Sequence, residues 1–219
     1  MLQAFAFFDF DDTLISGDSI LRFCLYAYKE KLISLGTLCK ACGGGIQYLL
    51  GKYDAVQSKE VSLLFLKGKH KDELAKIAYD FCEKELLPNL LPQALACITQ
   101  HQQAGRKVVL VSASPVFYLM PLKEKLGLEA VMGTELIIDD NGYNTGKIKA
   151  NCKGKEKPKL IAQYLQQTQQ QIDFAQSYAY GDSKNDIPML YLCGNPTWAN
   201  AKKSLRKKYT KFNAVHWKP

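Results

Sequence analysis

The sequence has no uninterrupted apolar run long enough to cross a bilayer. Its longest nearly uncharged stretch, 32–51, contains Lys40 and the triplet Gly43-Gly44-Gly45, whereas a spanning helix would be continuously apolar. That stretch is read as two buried helices joined by a glycine turn, against the alternative of a membrane-surface contact. A basic n-region is also missing, because the chain meets Asp9 almost at once, so no secretory signal is expected. The seven cysteines are scattered and odd in number. They do not make a disulfide framework, and reduced thiols in a cytoplasmic protein are expected. Cys39-x-x-Cys42 has no second pair or nearby histidine, which argues against zinc. Histidine is scarce, and His70, His101 and His216 are read as structural, in a helix, at a helix end and in the final strand. Zinc-finger spacing and RNA-binding aromatic runs are absent, so no nucleic-acid partner is expected.

What remains is an ordinary globular composition: 219 residues, 47% hydrophobic and 23% charged. Such a chain can bury a core without staples. The net charge is +8, and its placement is more telling than its size. From Ile187 onward there is no acid, but there are Lys202, Lys203, Arg206, Lys207, Lys208, Lys211 and Lys218. A basic tail of this kind suits an anionic partner such as a phosphorylated substrate or an anionic lipid surface, or is simply a solvated face.

Short apolar runs alternate with helical periodicity. Ala4 to Phe8, Val108 to Val111 and Ser177 to Tyr180 read as strands buried on both faces. Between the second and third lie a helical stretch 115–126, a hairpin around Asp140-Asn141-Gly142 and a helix over about 156–170. Strands alternating with helices imply an α/β fold with a doubly wound parallel sheet. Residues 16–87 break the rhythm with helical spacing throughout. They are read as an inserted helical cap, leaving 1–15 plus 88–219 as the core domain.

Ligands of doubly wound folds bind beyond the carboxyl ends of the strands. Each apolar run delivers polar residues there. The first ends in Asp9-Phe10-Asp11-Asp12-Thr13, with Asp9 and Asp11 able to point into one crevice and Asp12 elsewhere. The second ends in Ser112-Ala113-Ser114, and the third in Gly181-Asp182-Ser183-Lys184-Asn185-Asp186. Converging carboxylates repel unless a cation relieves them, and oxygen-only ligation favours Mg²⁺. With a hydroxyl and a lysine from the segment 153–159, such a site suits a phosphoryl group.

These motifs, in this order, resemble those of the haloacid dehalogenase superfamily, and the helical insertion is similar to its phosphoserine-phosphatase-like branch. The resemblance implies the roles. Asp9 is the nucleophile that becomes an aspartyl phosphate, and Asp11 the general acid and base. Ser112, the Ala113 amide and Lys157 hold the phosphoryl group. Mg²⁺ sits on Asp9, the Asp11 main chain, Asp182 and Asp186. Asp18 falls where those phosphatases carry a glutamate that contacts substrate, and Ser112-Ala113-Ser114 replaces their Ser-Gly-Gly. The expected enzyme hydrolyses small phosphomonoesters. A lipid phosphatase of the phosphatidylglycerophosphate type, touching an anionic membrane, and a non-catalytic binding protein are the alternatives. Oligomeric state is not readable from the sequence.

Overall fold

The structure, a computed structural model, describes residues 2–218. Its centre is a seven-stranded sheet with the order β4-β3-β2-β1-β5-β6-β7. The strands are β1 (Phe5–Phe8), β2 (Lys107–Pro115), β3 (Ala130–Ile138), β4 (Asn144–Ala150), β5 (Tyr178–Gly181), β6 (Asn195–Ala199) and β7 (Asn213–Val215). All neighbours pair in parallel except β3 and β4, which form an antiparallel hairpin. This is the doubly wound α/β architecture expected from the strand–helix alternation.

Strand periodicity divides the core in two. Ala6, Phe8, Val108 and Leu110 pack on one face of the sheet, and Phe5, Phe7, Val109 and Val111 on the other. Both faces are covered, which is why β1 is apolar at every position rather than at alternate ones. From β1 the chain crosses to β2 on one side, and from the hairpin it returns to β5 on the other. The strand order therefore switches between β1 and β5, where a ligand crevice opens at their carboxyl ends.

Between β1 and β2 run α1 (Ser19–Lys29), α2 (Leu35–Leu49), α3 (Ala55–Ser62), α4 (Lys71–Phe81) and α5 (Pro92–Gln103). Side chains fix where they begin. Asp18 caps α1 by accepting the Leu21 amide, and Ser34 caps α2 by accepting that of Thr37. Asp54 and Gln57 form a reciprocal capping box on α3. The last turn of α4 continues into a π-helical turn at Cys82–Leu86.

Here the structure corrects the sequence reading of 32–51. There is no glycine turn: α2 runs straight through Gly43, Gly44 and Gly45 as one helix. Packing overrides the poor helix propensity of glycine. A Cβ at Gly44 would lie 2.8 Å from the Ser58 carbonyl oxygen, so only glycine lets α3 approach this closely. Nor is the segment fully buried. Leu38, Ala41 and Gly44 face inward, while Leu35, Ile46, Leu49 and Leu50 are exposed.

On the core side follow α6 (Val116–Leu119), α7 (Pro121–Lys125), α8 (Glu156–Gln167), α9 (Ile187–Leu190) and α10 (Lys203–Lys208). The helix read over about 156–170 thus stops at Gln167. His70 caps the start of α4 rather than lying within a helix, and His216 follows β7 rather than belonging to it. All seven cysteines are free thiols. The basic residues of α10 are solvent-exposed, whereas Lys218 pairs with Asp12. No described helix is long and apolar enough to cross a membrane.

Candidate active site

The carboxyl ends of β1, β2 and β5 open into a cavity of about 550 Å³. Asp9 follows β1 directly, and its amide donates to the Tyr180 carbonyl of β5, 3.0 Å away. Asp182 follows β5. One oxygen each from Asp9, Asp182 and Asp186 lie within 4.8 Å of one another. Asp182 and Asp186 both precede α9 and do not share a helical turn. A tight turn from Ser183 to Asp186 brings them together, closed by the Asp186 amide donating to the Ser183 carbonyl at 3.0 Å. Asp186 Oδ2 accepts from the Ser183 amide and hydroxyl at 3.0 and 2.9 Å.

Lys157, in the first turn of α8, is 1% exposed. Its ammonium donates to Asp9 Oδ1 and to Asp186 Oδ1, each at 2.6 Å. Of the lysines in 153–159, it is the one the fold buries among the acids. Burial alone would lower its pKa, but Asp186 and Asp9 outweigh burial and hold it above the ordinary lysine value. The acids feel the opposite. Burial, reinforced by Asp186, pushes the Asp9 carboxyl well above its usual range. Burial, Asp186 and Asp12 together raise Asp182 to about 7. One lysine faces three carboxylates, so negative charge is left over in a poorly hydrated place. An all-oxygen donor set with surplus negative charge fits a hard divalent cation.

Asp11 is held from both sides. Oδ1 accepts from the Ser19 amide at 2.7 Å, at the start of α1. Oδ2 accepts from the Ser114 hydroxyl at the end of β2. Ser19 Oγ lies 2.8 Å from both Ser114 Oγ and the Tyr118 hydroxyl. With Ser114 donating to Asp11, a chain of three buried hydroxyls ends on this carboxylate. Burial, helped by Asp18, raises its pKa to about 6, against the pull of the Ser114 and Ser19 hydrogen bonds. Asp12, expected to face elsewhere, also borders the cavity, with its carboxylate accepting from the Gly17 amide at 2.9 Å and from Lys218.

The end of β2 differs in detail from the reading. Ala113 and Ser114 line the cavity, and Ser112 does not. Ser112 Oγ is fully buried and accepts the Ser114 amide at 3.0 Å. Asp18 is at the rim, with one oxygen engaged by the Leu21 amide at 2.9 Å. Sequence reasoning missed Ser114, Ser19 and Tyr118, and it also missed Lys59. Lys59 reaches down from α3, is 9% exposed, and donates to the Ala113 carbonyl, Thr134 Oγ1 and Asn151 Oδ1 at 2.5, 3.1 and 2.6 Å. All three partners are neutral. Burial, with Lys153 nearby, lowers its pKa to about 8. Ser114 stood within a segment already singled out, whereas no local pattern distinguishes Lys59 from a surface lysine.

Similarity to known proteins follows the same geography. The chain is 28% identical to a histidinol-phosphatase from Neisseria meningitidis, over 94% of each. It is 27% identical to a phosphoserine phosphatase from Mycobacterium tuberculosis, over 94% of this chain and 67% of that one. A Bordetella pertussis protein of unknown function superposes with a TM-score of 0.88 at 25% identity, covering 98% of this chain and 99% of that one. A substrate-bound phosphoserine phosphatase superposes at 0.67 and 22% identity, covering 98% and 93%, and shares the fold. The sequence pattern of the haloacid dehalogenase-like hydrolases matches residues 6–191, a span that carries every acid of the cavity, and the chain belongs to that family of enzymes.

Proposed function

We propose that the protein is a Mg²⁺-dependent phosphatase that hydrolyses small phosphomonoesters through an aspartyl phosphate on Asp9. The family and its phosphatase-named relatives support the coarser statement, a phosphoric monoester hydrolase. The observation that carries the finer one is the meeting of Asp9, Asp182 and Asp186 within 4.8 Å, beside a buried lysine. Residues 16–87 act as a cap over a core of 1–15 and 88–219.

In this reading Asp9 attacks phosphorus, and the ester oxygen leaves as an alcohol with the proton of Asp11. A carboxyl raised to about 6 is partly protonated near neutrality, as a general acid requires. Asp11 then takes a proton from the water that cleaves the acyl phosphate, which returns Asp9 and releases inorganic phosphate. The covalent route replaces one hard displacement with two easier ones. Lys157 and the Ala113 amide offer donors to the phosphoryl oxygens, and Ser112 acts indirectly by fixing the Ser114 amide. Asp9, the Asp11 carbonyl, Asp182 and Asp186 would hold Mg²⁺, which supplies charge neutralisation for nucleophile and phosphoryl group.

The test is phosphate release with and without Mg²⁺ from an aryl phosphate, phosphoserine, histidinol phosphate and micellar phosphatidylglycerophosphate. Mg²⁺-dependent turnover that disappears in folded Asp9→Asn is expected. A folded wild type that releases phosphate from none of them overturns the reading.

A further inference from the structure

The cavity has two unlike ends. The floor holds the carboxylates and Lys157. Above it the wall is built from α1 and α2 by Leu21, Cys24, Ala41, Gly45, Ile46 and Leu49. Three of these also form the rim, where Leu21, Ile46 and Leu49 are 49%, 56% and 83% exposed. Apolar side chains of α1 and α2 therefore line the cavity out to its mouth, while Asp18, Ser58, Lys59, Ser62 and Lys153 also border it. A ligand site normally matches the polarity of what it encloses.

A zwitterionic leaving group such as serine would need a cation for its carboxylate in this upper half. Lys59 has all three N–H groups engaged by Ala113, Thr134 and Asn151. Lys153 donates to the Tyr48 hydroxyl at 2.6 Å and lies over its ring. Arg22 turns to Glu85 and the Ser16 carbonyl and does not line the cavity. Lys59 and Arg22 are thus committed to the protein and Lys153 is held by Tyr48, while the apolar side chains of α1 and α2 border the open space. At Gly45 a Cβ would meet nothing within 4 Å, so α2 leaves room at this level.

We propose that the alcohol released by this site is a bulky apolar one, an alkyl or aryl chain lying between α1 and α2 with its far end at the rim. The inference rests on the phosphatase reading for the word "released". The cavity preference itself is testable without turnover.

The experiment is calorimetric titration of the Mg²⁺-loaded protein with n-alkylphosphonates from methyl to octyl, beside phosphoserine. Affinity is expected to climb about fourfold per methylene, the effect of moving a methylene out of water. Gly45→Phe, which fills the upper cavity, should flatten the climb. Leu50→Ser, on the exposed side of the cap and outside the cavity, should retain it. Affinity independent of chain length, a climb equally steep in Gly45→Phe, or tighter binding of phosphoserine than of octylphosphonate overturns the proposal. Hydrolysis of the matching alkyl phosphates is measured separately. Chain-length-dependent binding without hydrolysis would sink the phosphatase reading and leave the apolar cavity standing. Lysophosphatidic acid offered as monomers and in phosphatidylcholine vesicles separates two sources of the same chemistry. Turnover of monomers supports a soluble ester and turnover only on vesicles a lipid, while turnover of neither above that of phosphoserine counts against an apolar leaving group.

Discussion

On the floor of the cavity, Asp9, Asp182 and Asp186 crowd around Lys157 at a place where burial raises the acids. On its roof, α1 and α2 meet the same space with leucine, isoleucine, small residues and glycine. The floor sits on short turns at the ends of β1 and β5, whose backbone is fixed by a parallel sheet packed on both faces. The roof sits on helices anchored at a few points, α1 by the Ser19 amide and hydroxyl on Asp11, Ser114 and Tyr118, and α2 by the Tyr48–Lys153 pair. The surplus negative charge is thus placed on turns held by the packed sheet.

The largest effect expected from breaking the floor is that of Lys157→Met. It removes the cation between two buried carboxylates and, in the proposed reaction, a donor to the phosphoryl group. Turnover should fall about 10²- to 10³-fold, the cost of losing one preorganised donor. Steady-state kinetics with saturating Mg²⁺ would measure it, and a fall of less than tenfold would remove Lys157 from the reaction. Next comes Ser114→Ala, which cuts the hydroxyl chain from Asp11. With one hydrogen bond to the acid gone, its pKa should rise, because that bond favours the ionised form. The limb of the pH–rate profile assigned to Asp11 should move to higher pH, and kcat should fall about tenfold. An unmoved profile would show that the hydroxyl chain is only packing.

The roof can be probed with two adjacent glycines. Gly44→Ala puts a methyl group 2.8 Å from the Ser58 carbonyl oxygen and must push α2 from α3, at a cost of about 1–3 kcal/mol. Gly45→Ala meets nothing within 4 Å and should gain up to about 1 kcal/mol of helix propensity. Opposite signs at neighbouring positions in urea unfolding are the expected result. Equal signs would mean that the close approach of the two helices is not what keeps glycine there.

The same contrast accounts for how much of the molecule was legible in its sequence. Asp9, Asp11 and Asp182 are legible because a strand end is a local feature, and a buried strand that ends in paired acids seldom serves a turn alone. Lys157 is legible only by its spacing, and burial among the acids is what the structure adds. The course of α2 was not legible, because three glycines argue for a turn unless the partner across Gly44 is known. Lys59 was not legible either. Its three acceptors come from residues 54, 75 and 92 positions away in sequence, and nothing near Lys59 announces them. Ser112 and Ser114, two residues apart, would share one face of a regular strand, but β2 is irregular between Val111 and Pro115, so their side chains part. One faces the packed interior and the other the cavity.

The smallest effect separates the floor from a buried histidine behind it. His101, in α5, packs against Phe8 and lies 2.9 Å from the Tyr180 hydroxyl. Burial, with Arg106 beside it, lowers its pKa to about 4. A histidine depressed in the folded state contributes stability that is complete above its unfolded value of about 6.5, and loses it as pH falls toward 4. The floor acids have the reverse sign. Their raised pKa values make the metal-free fold more stable as pH falls from 7, since the folded form takes up protons first. In metal-free protein the two contributions oppose each other, and replacing the histidine isolates one of them. Between pH 7 and 5.5, wild type should lose about 1 kcal/mol relative to His101→Gln in urea unfolding, by the linkage of proton binding to folding. A difference between the two proteins that does not change with pH would mean that His101 is solvated enough to titrate normally, and the acid response would then belong to the floor alone.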